Sequence, residues 1–203
     1  FIFTSDNGAE GSPLINPTSN SVLDPWFESV GYETGIENLG EKGSWVGIGP
    51  SNATIAASPL AYYKFHANEG GLRVPLVMSG PGISQRGELS DEFVFVTDLA
   101  PTILSLVEVN DHGGSWHTRE VEPIVGKDFS AYLEGQLGPI HPASEPIGYE
   151  MGGSGALFKG DYKIVINKFE QSESEWHLFN IKTDPGEAND LAHGANEQLR
   201  QEL

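Results

Sequence analysis

The chain has 203 residues, enough for one ordinary domain or for a large domain with a small one, and 38% of them are apolar, enough for a core. Its formal net charge is −18, which argues against binding nucleic-acid backbones or docking on anionic membranes, since both draw on cationic surface. There is no Cys, so the chain holds no disulfide, thiolate ligand or Cys nucleophile, and no stretch approaches the roughly 18 continuous apolar residues of a membrane-spanning helix.

The first predicted element is a buried strand, Phe1 to Thr4, at the start of FIFTSDNGAEG. The opening carries neither an initiator Met nor a basic-then-apolar leader, so the sequence reads as an excerpt from a longer chain. Ser5-Asp6-Asn7-Gly8 then breaks the strand. Asp, Asn and Gly are ordinary turn residues. A carboxylate and an amide carbonyl at a strand end are also a pair of oxygen donors for a hard cation. The residues by themselves leave both readings open.

Residues 12–60 are rich in Gly, Pro, Ser and Asn, too long for a plain connector; Trp26, Phe27, Tyr32 and Trp45 favour order there, as a substrate-facing insertion or as packing. Val74 to Met78 is a second strand candidate, with Pro75 suited to an edge or a strand start. Phe93 to Val96 reads as a third. It leads into TDLAPTILSLVEV, a helix capped by Thr97 or Asp98, with Pro101 in its first turn and a core face of Leu99, Ile103 and Val107. Residues 108–145 read as irregular apart from a short helix near Phe129 to Leu133.

A second unit is predicted from Pro146. YKIVINKF places Tyr162, Ile164 and Ile166 on one strand face, EWHLFNI is a further strand, and Glu197 to Leu203 is a closing helix. Short strands, turns and one terminal helix predict an antiparallel sheet packed on a helix. The acidic run Glu170 to Glu175 reads as a solvated hairpin tip, and Trp176 and Phe179 as packing residues. DPGEANDLA lacks the ligand spacing of an EF-hand loop.

FIFTSDNGAEG and YYKFHANEGGLRVP, followed in order by VTDLAPTIL, KGDYKIV and LFNIKTDPGEANDLA, resemble the sulfatases of the alkaline-phosphatase superfamily. GIENLG, IGP and SPLAYYK resemble the aryl- and alkylsulfatase branch. The resemblance covers most of the chain and is weakest over 108–145. It implies an α/β fold: part of an alkaline-phosphatase-like central sheet with flanking helices, and a small C-terminal antiparallel sheet packed on a helix. The domains it implies are 1–145, the C-terminal portion of a catalytic domain, and 146–203, a small α+β subdomain.

The same resemblance implies roles. Asp6 and Asn7 match the pair that binds a divalent cation, usually calcium, and oxygen-only donors suit magnesium equally. Lys64 matches a lysine that contacts a sulfate oxygen, as catalytic and substrate-binding residue; apart from the resemblance it reads as a solvated lysine. Arg73 reads as a loop-holding residue, His66 as a satisfied or exposed histidine or as a pocket contact, and the other histidines as structural or surface groups.

The implied activity is hydrolysis of a small-molecule or carbohydrate sulfate ester. The family's nucleophile, a formylglycine within a C/S-x-P-S-R motif, does not occur in this chain, nor does its early Asp pair. The resemblance places both upstream and implies that residues 1–203 alone are inactive. The rival readings are a phosphate or phosphonate ester hydrolase of the same superfamily and a non-catalytic acidic binding homologue. Nothing in the sequence marks a compartment or an oligomeric state.

Overall fold

The computed structural model describes residues 1–11, 24–33, 36–45, 47–84, 86–136, 138–168 and 175–193. The chain divides into two interleaved units, residues 1–4 with 75–146 and residues 5–74 with 147–203. In the first unit, β1 (Ile2–Thr4) pairs antiparallel with β2 (Leu76–Met78), with Phe3 opposite Val77. Both segments predicted as strands therefore share one sheet. The burial expected of β1 is not found: Phe1 and Phe3 are 82% and 59% exposed. A two-stranded ladder has little surface with which to cover its own side chains.

Helix α4 (Leu99–Leu106) has Asp98 at its N-cap position and Pro101 in its first turn, as predicted. Its buried face differs from the prediction. Ile103 and Val107 are exposed, whereas Asp98 and Thr102 are fully buried. Asp98 does not cap the helix with its side chain. Its carboxylate accepts the amides of Phe95 and Lys127, each at 2.7 Å, and lies 2.7 Å from His141 Nε2. Thr102 Oγ1 donates to the Asp98 carbonyl and accepts from Phe129 N. Polar partners thus decide which side of α4 faces inward. The Phe95 amide also explains why Phe93 to Val96 forms no strand: its hydrogen bond closes a local turn, and a 3-10 turn, Val96–Asp98, follows. The short hairpin β3 (Ser115–Trp116) with β4 (Arg119–Glu120) interrupts the region predicted as irregular, and helix α5 (Ser130–Leu133) lies where a helix was expected.

In the second unit, α1 (Asp24–Ser29) opens an aromatic cluster. Phe27 is buried at its centre, 4.6 Å from Trp45, 5.2 Å from Trp26 and 6.5 Å from Tyr32 between ring centroids. Order in this stretch comes from ring packing, since aromatic pairs gain from both burial and edge-to-face geometry. Helix α2 (Gly49–Ala57) follows, with Pro50 in its first turn and Ala53 buried, and then the short helix α3 (Glu69–Leu72).

The C-terminal sheet of this unit is an antiparallel meander of β5 (Ile147–Met151), β6 (Ser154–Lys159), β7 (Tyr162–Ile166) and β8 (His177–Asn180). Its core includes Ala156, Phe158, Val165, Leu178 and Phe179, while Trp176 is 40% exposed. The buried face along β7 and just beyond is Lys163, Val165 and Asn167, and Tyr162, Ile164 and Ile166 share the opposite, half-buried face. Two carboxylates compensate Lys163 inside, as described below. The helix predicted over 197–203 and residues 170–174 of the acidic run lie outside the described residues. Among the described residues no helix is long and apolar enough to cross a membrane.

Candidate functional site

The turn after β1 is built from its own polar groups. Ser5 Oγ donates to the Asn7 carbonyl at 2.9 Å, and Asn7 Nδ2 donates to the Gly8 carbonyl at 2.9 Å. The amide nitrogen of Asn7 is thereby occupied, and Oδ1 is the acceptor atom of its side chain. Asp6 is exposed to solvent.

Two backbone bonds join this turn to the segment that carries Lys64. Gly8 N donates to the Gly71 carbonyl at 2.9 Å, and Lys64 N donates to the Ala9 carbonyl at 3.0 Å. Gly8 is required by this approach, because a Cβ there would lie 1.8 Å from the Gly70 carbonyl oxygen. Asp6, Asn7 and Lys64, far apart in sequence, therefore stand on two adjoining segments. The Lys64 ammonium lies 2.7 Å from Glu10 Oε2 and 5.1 Å from the centre of the Phe65 ring. Glu10 was not singled out in the sequence, although it lies within the Asp-Asn-Gly stretch.

A carboxylate and an amide oxygen fit a hard cation such as calcium or magnesium, which takes oxygen ligands. Two such donors would make only part of a coordination shell, and among the described residues no group of three or more His, Asp or Glu is arranged to hold a metal ion. His66 is buried, its ring 4.6 Å from Tyr62 and 4.8 Å from Tyr63 between centroids, with Nδ1 3.0 Å from the Tyr63 carbonyl oxygen. This is a packing role. The half-exposed Arg73 side chain places Nη1 3.8 Å from Glu69 Oε2, one turn of chain away. In DPGEANDLA the Asp184 carboxylate accepts the amides of Ala188 and Asn189 and closes a turn. Burial would raise the Asp190 carboxyl, but bonds from the amides of Ala192 and Leu178 and from His177 outweigh it and hold it below the usual range.

Sequence reasoning missed the buried group behind the site. Lys163 Nζ donates to Glu69 Oε1 at 3.0 Å and lies 2.9 Å from Glu187 Oε1. Glu187 Oε2 accepts the Glu69 amide at 2.8 Å. Burial raises the Glu187 carboxyl, and Lys163 only partly offsets this. A carboxyl raised on folding keeps its proton where the unfolded chain has lost it. Its contribution to stability is full below the unfolded value and is lost as pH rises through the folded value. Thermal melts of Glu187→Gln and of the parent chain, from about pH 4 to 8, are expected to show the variant gaining on the parent as pH rises. A difference between the two that is constant across this range rejects the raised carboxyl.

The Sulfatase family model matches residues 1–109. An uncharacterized sulfatase of Schizosaccharomyces pombe is 36% identical over 192 residues, covering 94% of this chain and 34% of that protein. An arylsulfatase of Klebsiella aerogenes is 31% identical over 131 residues, covering 64% of this chain and 27% of that protein. The chain thus spans about a third of the length of these relatives. Among solved structures, Ps i-CgsB in complex with k-i-k-neocarrahexaose aligns with the whole chain and 34% of its own length, with a TM-score of 0.60 and 22% identity. A putative sulfatase from Bacteroides thetaiotaomicron covers 76% of the chain and 32% of its own length, with a TM-score of 0.51 and 21% identity. These likenesses bear on fold, and they bear out the mixed α/β architecture expected of part of an alkaline-phosphatase-like protein. With the family model matching more than half of its residues, the chain belongs to the sulfatase family.

Proposed function

We propose that the whole protein containing this chain hydrolyses sulfate esters, with Asp6 and Asn7 as ligands of a divalent cation and Lys64 as a sulfate contact. Calcium is the cation proposed, with magnesium as the alternative, and formylglycine upstream of this chain is the proposed nucleophile. The observation that carries the reading is the pair of backbone bonds, Gly8 to Gly71 and Lys64 to Ala9, which puts the oxygen-donor turn beside the lysine. In that protein, residues 1–145 complete a catalytic domain and 146–203 form a small subdomain. The C-terminal sheet starts at Ile147, which supports that boundary, although residues 5–74 group with 147–203 in one unit.

The chemistry assigned to each residue follows from its type. A bound cation supplies Lewis-acid polarisation and orients the sulfate. Asp6 contributes the anionic charge that attracts the cation. Asn7 contributes an oxygen without adding a second negative charge beside an anionic substrate. The Lys64 ammonium is a compact charge with rotatable donors, able to follow a sulfate oxygen as the ester bond breaks. Glu10 keeps that ammonium paired until the sulfate takes its place. The substrate class is a small-molecule or carbohydrate sulfate ester. Aryl sulfates are the first to assay, given the Klebsiella relative.

The experiment is calcium titration by calorimetry on the whole protein, with Asp6→Ala and Asn7→Ala variants verified as folded. Asp6→Ala is expected to bind calcium at least about tenfold more weakly, the scale of one lost charged contact, and to regain part of its activity in excess metal. Asn7→Ala is expected to show the same effect more mildly, because a neutral oxygen is lost. Calcium affinity unchanged in Asp6→Ala would reduce the Asp-Asn-Gly stretch to a turn and overturn the assignment.

A further inference from the structure

Lys163 is a fully buried lysine in β7, and nothing in the proposed chemistry uses it. We propose that Lys163, Glu69 and Glu187 are positioning residues that hold the Lys64 segment in the shape the sulfate contact needs, an inference that rests on the sulfate-ester reading above.

The grip is continuous along the backbone. Asn167 Oδ1 accepts the Ala67 amide at 2.8 Å, and Asn167 Nδ2 donates to Asn68 Oδ1 at 2.6 Å. Glu187 Oε2 accepts the Glu69 amide, and Lys163 holds the Glu69 carboxylate. Three successive residues, Ala67 to Glu69, are therefore fastened to the end of β7 and to the turn after β8. Two residues further on, Gly71 receives the amide of Gly8 from the oxygen-donor turn. A Cβ on Gly71 would lie 2.1 Å from the His66 carbonyl oxygen, so the plate between these fastenings has no slack.

The backbone around Lys64 needs such a hold. Tyr62 and Phe65, on either side of it, have φ of 60° and 77°. Left-handed backbone is costly for aromatic residues and persists only when the surroundings over-determine it. The ion group is suited to the task because its parts are useless alone. With side chains 0%, 5% and 0% exposed for Lys163, Glu69 and Glu187, removing one partner strands the others without water. The Phe158 ring, 5.0 Å from Lys163 Nζ, adds a further attraction for the ammonium.

The test uses Lys163→Met, which keeps the apolar stem, and the double variant Lys163→Met with Glu69→Gln, which removes one charge of each sign from the group. Amide hydrogen exchange on the full chain is the first measurement. Exchange at Ala67, Glu69, Gly71 and Arg73 is expected to quicken at least about tenfold in the double variant, while β5 and β6 stay protected. Steady-state kinetics on the whole protein, well below the variants' melting temperatures, are the second. There kcat is expected to fall about ten- to a hundredfold, the scale of a displaced catalytic contact, with calcium affinity kept. Glu187→Gln, which retains an acceptor for the Glu69 amide, is expected to keep most of kcat. Unchanged exchange over 66–73 overturns the proposal. Faster exchange with unchanged kcat also overturns it, because the group would then serve stability only. A parent protein that exchanges as expected but cleaves no sulfate ester would refute the sulfate reading, and the purpose assigned to the hold with it. The hold itself would stand on the exchange data.

Discussion

Lys64→Ala in the whole protein is expected to lower kcat for aryl sulfate hydrolysis by about two to three powers of ten, the usual consequence of losing one preorganised oxyanion donor. Calcium affinity is expected to stay near that of the parent, or to rise slightly, since a positive charge beside the cation is removed. Added calcium should not restore the rate. This separates Lys64 from Asp6, whose loss is expected to act through the metal. The geometry sharpens the expectation: Lys64 pairs with Glu10 at 2.7 Å, so Lys64→Ala also removes that ion pair. Lys64→Arg keeps the charge but replaces a compact ammonium with a wider planar fork, and is expected to recover only part of the loss. The measurement is a full steady-state profile at saturating and at limiting calcium. A Lys64→Ala enzyme within about tenfold of the parent would make this lysine a surface residue with a salt bridge, since losses of that size fall below the oxyanion-donor range.

Asp98→Ala is expected to destabilise the fold by about 3–5 kcal/mol, among the largest effects of any single change here. The carboxylate is fully buried and serves the amides of Phe95 and Lys127 and the ring of His141. Its removal leaves these donors facing a cavity. Each stranded buried donor costs about 1–3 kcal/mol, which is where the total comes from. Asp98→Asn keeps one acceptor oxygen and is expected to fall between the variant and the parent. Thermal melting of the full chain reads the effect, with an expected drop of roughly 10 °C for a chain of this size. A drop of about 2 °C or less would mean that these amides find water or other acceptors.

Local chemistry determined much of this protein. The strand–Asp-Asn-Gly–turn, the paired glycines before Arg73, the helix after Asp98 and the strands β7 and β8 each lie within a short window. Turn propensity, capping position and alternation there act between near neighbours. The sulfatase motifs were legible for the same reason: each is a contiguous run, and their order is a property of the chain. What the windows could not contain was decided by tertiary structure. Per-residue preferences place lysines and carboxylates outside, so nothing within YKIVINKF marks Lys163 as an inner residue of β7. The true inner face contains Lys163, because Glu69, 94 residues earlier, and Glu187 meet it inside. On α4 the apolar stripe of Leu99, Ile103 and Val107 misled, because His141, 43 residues beyond Asp98, turns that carboxylate inward. The Lys64 segment meets the oxygen-donor turn only through backbone bonds, which any residues with an amide and a carbonyl could make. Buried charge is stable only with a partner, and a partner distant in sequence leaves no periodicity to read.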